Sequence, residues 1–161
     1  MRAKTYRIIT ALPVALALLF PGAISAAEVA TLSAPGHADV QLSAESLGQL
    51  PAVTATTAYR SSHGIQSGIY KGVLLWDILI HQGLVTENHK AALRNVVIVT
   101  ATDGHQVAFS VGEIAPDFGN REILLAYEMN DAPIPDGLRM VVPGDLRGTR
   151  HIKDIKTLEF R

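Results

Sequence analysis

Near the end of the chain, Leu138 to Ile155 reads LRMVVPGDLRGTRHIKDI. A short apolar run, Met140-Val141-Val142, breaks at Pro143-Gly144 and passes through Gly148 into Arg150, His151 and Lys153. Proline fixes φ and glycine permits positive φ, so this backbone can turn sharply and set consecutive N–H groups beside fixed cations. Such a turn suits an anion. From Leu138 to the end, six Lys or Arg face three acids, whereas the whole chain carries a formal net charge of −1. A basic strand pair that is only a solvated face is the plain alternative. The proline and glycine punctuation inside the run favours a ligand turn.

At the other end, Arg2, Lys4 and Arg7 precede an apolar run from Ile8 to Phe20, then Pro21-Gly22 and small residues up to Ala27. A charged start, an apolar stretch too short to span a bilayer comfortably and a small-residue site make a secretory signal peptide, with cleavage expected after Ala27. Residues 1–27 are thus expected to be the signal and residues 28–161 one domain with its own core. The sequence has no cysteine. An exported chain of this kind relies on packing rather than disulfides, and thiolate metal sites, cysteine nucleophiles and thiol redox chemistry are excluded together. Nothing in the composition points to nucleic acid.

Between these ends the pattern is strand-heavy. Glu28 to Ser33 and Asp39 to Leu42, around Pro35-Gly36, read as a hairpin or two edge strands. Ser43 is a candidate N-cap for a brief helix ending near Gly48. Ala52 to Tyr59 is rich in β-branched residues and predicts a strand, ending in the polar turn Arg60 to Gly64, a place where sites often sit. Leu74, Leu75, Ile78 and Leu79 recur at helical spacing, so Val73 to Gln82 predicts a helix closed by Gly83. Thr86 is placed to cap a second helix through about Arg94. Val96 to Thr102 and His105 to Ser110 flank Asp103-Gly104, a strong hairpin signal. Ser110 and Glu113 have the spacing of a capping box. Glu122 to Met129, Leu138 to Val142 and Ile155 to Phe160 complete the strands. The expected fold is α+β, one domain on mixed or antiparallel sheet with a few short helices.

The common catalytic signatures are missing. The six histidines have no zinc-site spacing and no HExxH pattern, and no nucleophile elbow, phosphate loop or GxGxxG occurs.

The segments LSAESLGQLP, VTATT, YKGVLLWDIL, VTATDGHQVAF, ILLAYEMNDAPIP and LRMVVPGDLRGTRHIKDIKTLEF, in this order, resemble the molybdopterin-binding domain of sulfite oxidase and its bacterial relatives. The resemblance covers nearly all of Val40 to Phe160, and the closing VVPG-xxx-G-x-R-x-x-K pattern is its most specific part. It implies that Gly148, Arg150 and Lys153 hold the phosphate end of a pterin cofactor, with His151 standing where the family often has a small polar residue. Active members bind molybdenum through a cysteine just after the strand that corresponds to Ala52 to Tyr59. Here Tyr59 to Ser62 occupy that neighbourhood, and hydroxyls are poor substitutes for a soft thiolate.

Short, exported, cysteine-free relatives are periplasmic pterin-binding proteins that report to inner-membrane enzymes of cyclic di-GMP turnover. The resemblance therefore implies a non-catalytic, periplasmic, monomeric pterin sensor without molybdenum, acting through such a membrane partner. Its expected pterin-binding residues are Tyr59, Arg60, Tyr70, Asp145, Gly148, Arg150, His151 and Lys153. Trp76 is a further aromatic face, more readily assigned to core packing, and Asp103 a further acceptor. On this reading Arg150→Ala weakens pterin binding severalfold. Two alternatives stand beside it: a molybdopterin-dependent oxidoreductase domain lacking the usual cysteine, and a purely protein-binding module.

Overall fold

The computed structural model describes residues 29–86 and 89–161. The expected signal peptide lies outside the described residues, as do Glu87 and Asn88 at the start of the expected second helix. Among the described residues no helix is long and apolar enough to cross a membrane.

Among the described residues the strands form two five-stranded sheets. In the first, β1 (Ala30–Ser33) forms an antiparallel hairpin with β2 (Val40–Leu42) and pairs in parallel with β10 (Ile155–Phe160). That last strand pairs antiparallel with β5 (Val96–Ala101), which pairs with β6 (Gln106–Ser110) around the Asp103-Gly104 turn. The second sheet runs β3 (Val53–Ser61), β4 (Gly64–Leu74), β7 (Leu124–Met129) and β8 (Ala132–Pro133), with β9 (Arg139–Val141) also on β7. Asn130 and Asp131 both have positive φ, +52° and +61°, which gives the β7–β8 turn the twist a two-residue hairpin needs. One parallel pair among antiparallel ones, with short helices between, is the α+β fold expected.

Short helices fill the connections. Ser43 caps α1 (Ala44–Leu47) through a capping box closed by Ser46. The next helix, α2 (Leu75–His81), buries Leu75, Trp76, Ile78 and Leu79, and α3 spans His89–Ala92. Ser110 caps α4 (Val111–Ile114) by accepting from the Gly112 N–H. The capping box expected there is not formed, because the Glu113 carboxylate is taken by Arg150 at 2.8 Å.

Two expectations change. Gly64 to Leu74 is a strand of 11 residues, and α2 starts at Leu75 rather than Val73. Gly72 is a close-approach position: a Cβ there would lie 2.3 Å from the Leu125 carbonyl oxygen on β7. Strands β9 and β10 belong to different sheets. The basic stretch between them crosses from one sheet to the other, stitched by Met140 N–H to the Ile152 carbonyl and Ile155 N–H to the Leu138 carbonyl.

The main core gathers β1, β5, β6 and β10 of one sheet, Val73, Leu125, Tyr127 and Met140 of the other, and the buried faces of α1, α2 and α4. A smaller cluster, Tyr70, Leu124, Ala126, Ile134 and Val141, covers the opposite face of the second sheet. The crossing loop is therefore anchored at both ends in packed structure.

Candidate functional site

Strand β3 alternates strictly. Val53 and Ala55 are half-buried, Thr57 and Tyr59 are buried, and Thr54, Thr56, Ala58 and Arg60 face solvent. Against its end lies the crossing loop, where Arg60 donates its N–H to the Leu146 carbonyl at 3.0 Å and Arg60 bridges Arg147 in parallel register. The loop then makes a single 3-10 turn at Gly148–Arg150. Two contacts fix Tyr59 beneath it. The His151 ring stacks on the Tyr59 ring at 4.0 Å between centroids and 24° between planes, and a Cβ at Gly148 would sit 2.7 Å from Tyr59 Cε2. Gly148 is thus required by close ring approach, since its φ is not in the left-handed region.

Around this stack opens a cavity of about 670 Å³, within the range of small-molecule sites. Three cations line it, Arg60, Arg147 and Lys153, together with Ser61, Ser62, His63, Gln66 and Thr149, and no carboxylate does. None of the three cations has an ion pair among the described residues, whereas Lys71, Arg121, Arg150 and Arg161 are all paired. An anion entering here meets positive charge that the fold has not neutralised.

His151 gives the cavity its second property. It is 6% exposed, and among the described residues its ring nitrogens make no well-formed hydrogen bond, with the Val142 carbonyl as a neighbouring acceptor. Burial pushes its pKa down to about 4, Arg139 and Arg150 push the same way, and Asp145 and the Val142 carbonyl oppose them. At neutral pH the imidazole is uncharged and offers one donor and one acceptor. Behind it, Thr57 Oγ1 and Arg139 Nε are also buried and unpartnered, and Arg139 Nη1 donates to the Tyr70 hydroxyl at 3.2 Å. The Tyr59 hydroxyl is held above its ordinary pKa by burial first and then by the neighbouring Tyr70.

The structure brings Tyr59, Arg60, Gly148, His151 and Lys153 together at this cavity. It does not bring Tyr70, Asp145 or Arg150 there. Tyr70 is 2% exposed inside the smaller core cluster. Arg150 is spent on acids: Nε and Nη2 reach Asp145 at 2.7 and 2.8 Å, and Nη1 reaches Glu113 at 2.8 Å. Arg121 adds a bond to Asp145 at 3.1 Å. Hydrogen bonding to Arg150 holds the Asp145 carboxyl below its usual range, and the same bonds raise the Arg150 pKa. This knot fixes the loop from inside and leaves neither side chain lining the cavity. Trp76 is in the main core, and Asp103 borders a separate recess with Asp136, Asp154 and Lys153.

Sequence reasoning passed over Arg147, Thr149, Gln66 and the buried pair Thr57 and Arg139. Arg147 adjoins the glycine already singled out, and Arg139 is a lone charge inside an apolar strand; both signals were visible. Gln66 and Thr57 carried none.

The α+β domain thus carries a cationic, aromatic-edged cavity where the crossing loop meets β3 and β4. The chain belongs to the oxidoreductase molybdopterin binding domain family, whose sequence profile matches residues 31–161. A comparison with curated proteins finds no match. Among solved structures, sulfane dehydrogenase SoxCD from Paracoccus pantotrophus is similar in fold, with a TM-score of 0.63 at 16% identity. The match covers 82% of this chain and 37% of that one, so the chain spans little more than a third of its length.

The donor set separates the two halves of the family's cofactor. The cations and the buried imidazole fit the pterin and its anionic tail. No thiolate exists anywhere in the sequence, and Tyr59 to Ser62 offer hydroxyls and a guanidinium instead, so the residues do not fit thiolate-held molybdenum.

Proposed function

We propose that the domain is a non-catalytic, periplasmic pterin-binding protein that reports pterin to an inner-membrane enzyme of cyclic di-GMP turnover. The observation that carries the binding part is the cavity itself: among the described residues, three cations without ion pairs, a buried imidazole and no carboxylate on its walls. The pterin ring edge, with alternating donors and acceptors, is matched to His151 and the Thr149 and Gln66 side chains. An anionic tail is matched to Arg60, Arg147 and Lys153, each charge-assisted bond contributing about 1.5–3 kcal/mol where water is excluded. Export rests on the N-terminal pattern of charged, apolar and small residues. The membrane partner rests on the resemblance to short, cysteine-free members of the family.

Calorimetric titration of mature protein, residues 28–161, with pterin-6-carboxylate and with neutral 6-hydroxymethylpterin tests the binding part. Saturable binding is expected, tighter for the carboxylate, weakened at least tenfold by Arg147→Ala with Lys153→Ala, and weaker in high salt. No binding of either compound would refute it. For the signalling part, deleting the gene is expected to shift cellular cyclic di-GMP, with rescue by the wild-type gene and not by the double variant.

A further inference from the structure

We infer that a groove beside the ligand cavity docks an acidic, leucine-type segment of a protein partner. This rests on the reading above, in which the domain acts through another protein. The groove, about 460 Å³, is walled by Ala58, Ile65 and Leu146 and flanked by Arg60 and Arg147. Leu146 is 83% exposed and Ile65 75%, the two most exposed large apolar side chains among the described residues. Ile69, on the same outward face of β4, extends the apolar strip.

The exposure of Leu146 is built in. Its carbonyl accepts the Arg60 N–H, Arg147 bridges Arg60, and the preceding Asp145 is tied to Arg150 and Arg121. An ordered backbone thus holds Leu146 out in water beside Ile65 on the wall of one groove, and it is such adjoining exposed apolar side chains, not single ones, that mark interaction sites. Charge names the occupant. Among the described residues the groove has two arginines without ion pairs and no carboxylate, so the complementary segment carries Asp or Glu beside a Leu, Ile or Phe anchor.

The groove and the ligand cavity share Tyr59, Arg60 and Arg147. A ligand anion and an acidic partner therefore draw on the same two guanidinium groups. Each lowers the affinity of the other, and by the same factor.

The test pans immobilised mature protein with phage-displayed random dodecapeptides and then measures the enriched peptides in solution. Enrichment of acidic peptides with a large apolar residue is expected. Affinity should fall at least tenfold for Ile65→Ser with Leu146→Ser, whose exposed positions leave the fold intact, while pterin-6-carboxylate binding by the same variant is unchanged. Saturating pterin-6-carboxylate should weaken the peptide at least threefold. No enrichment, or peptides indifferent to the double substitution, overturns the proposal. So does loss, in that variant, of adsorption to phosphatidylglycerol vesicles or of self-association, either of which would assign the groove to a lipid surface or a second copy. Peptide capture by wild-type protein that binds no pterin would refute the pterin reading and leave the groove standing.

Discussion

Gly148 has no room for a methyl group, because the Tyr59 ring occupies that space and is itself stacked on His151. Gly148→Ala must push the ring away and open the stack. It is expected to cost at least tenfold in pterin-6-carboxylate affinity by titration, with circular dichroism unchanged. Arg150 is the opposite case. Charge counting selected it as a ligand group, but a count sees only that a cation is present, and its acids lie five and 37 residues away along the chain. Arg150→Ala leaves the Asp145 and Glu113 carboxylates with Arg121 alone and is expected to destabilise by about 1–3 kcal/mol in urea unfolding, with ligand affinity within threefold of wild type. His151 sets a pH dependence. Its folded pKa, about 4, lies below the ordinary 6.5, so the unfolded chain binds the proton first and stability falls as pH drops from 6.5 toward 4. Ligand-free wild type should lose about 2 kcal/mol more than His151→Phe between pH 7 and 5. The Asp145 contribution has the other window: it is present above 3.8 and is lost only as pH falls through its lowered value.

At the scale of elements, what was legible was local. The Asp103-Gly104 hairpin, the Ser43 cap and the β3 strand each carry their signal within a few residues, and all three form. Strand β4 was hidden because three glycines, at 64, 68 and 72, look like turn residues, whereas Gly72 is there for the crossing β7 backbone. Gly72→Ala would place a Cβ 2.3 Å from the Leu125 carbonyl oxygen and 2.6 Å from Ala126 Cα, backbone atoms that cannot rotate away. Thermal unfolding should show a fall of 10 °C or more, or no soluble protein; an unchanged midpoint would contradict the packing described. The parallel β1–β10 pairing and the division of β9 and β10 between sheets depend on contacts across nearly the whole domain, and no local pattern encodes them.

For the whole molecule, the crossing loop decides where the site is. Its ends are anchored in two sheets, its middle is tied down by Arg150, Asp145 and Arg121, and what remains exposed is the cationic turn around Tyr59 and His151. The turn's anion-friendly character was readable from proline, glycine and charge alone. Which cations it presents was not, because that depends on which acids the fold brings near. The chain belongs to an oxidoreductase-type family yet has no thiolate, and on the proposed reading its cavity keeps the pterin without the metal. The most direct measurement is on mature protein purified from its native source: denature it, record the fluorescence of the released small molecule and assay molybdenum in the same sample. The account expects pterin fluorescence with molybdenum far below one atom per chain. Molybdenum in stoichiometric amount, or no pterin from protein that also fails to bind it in titration, would contradict it.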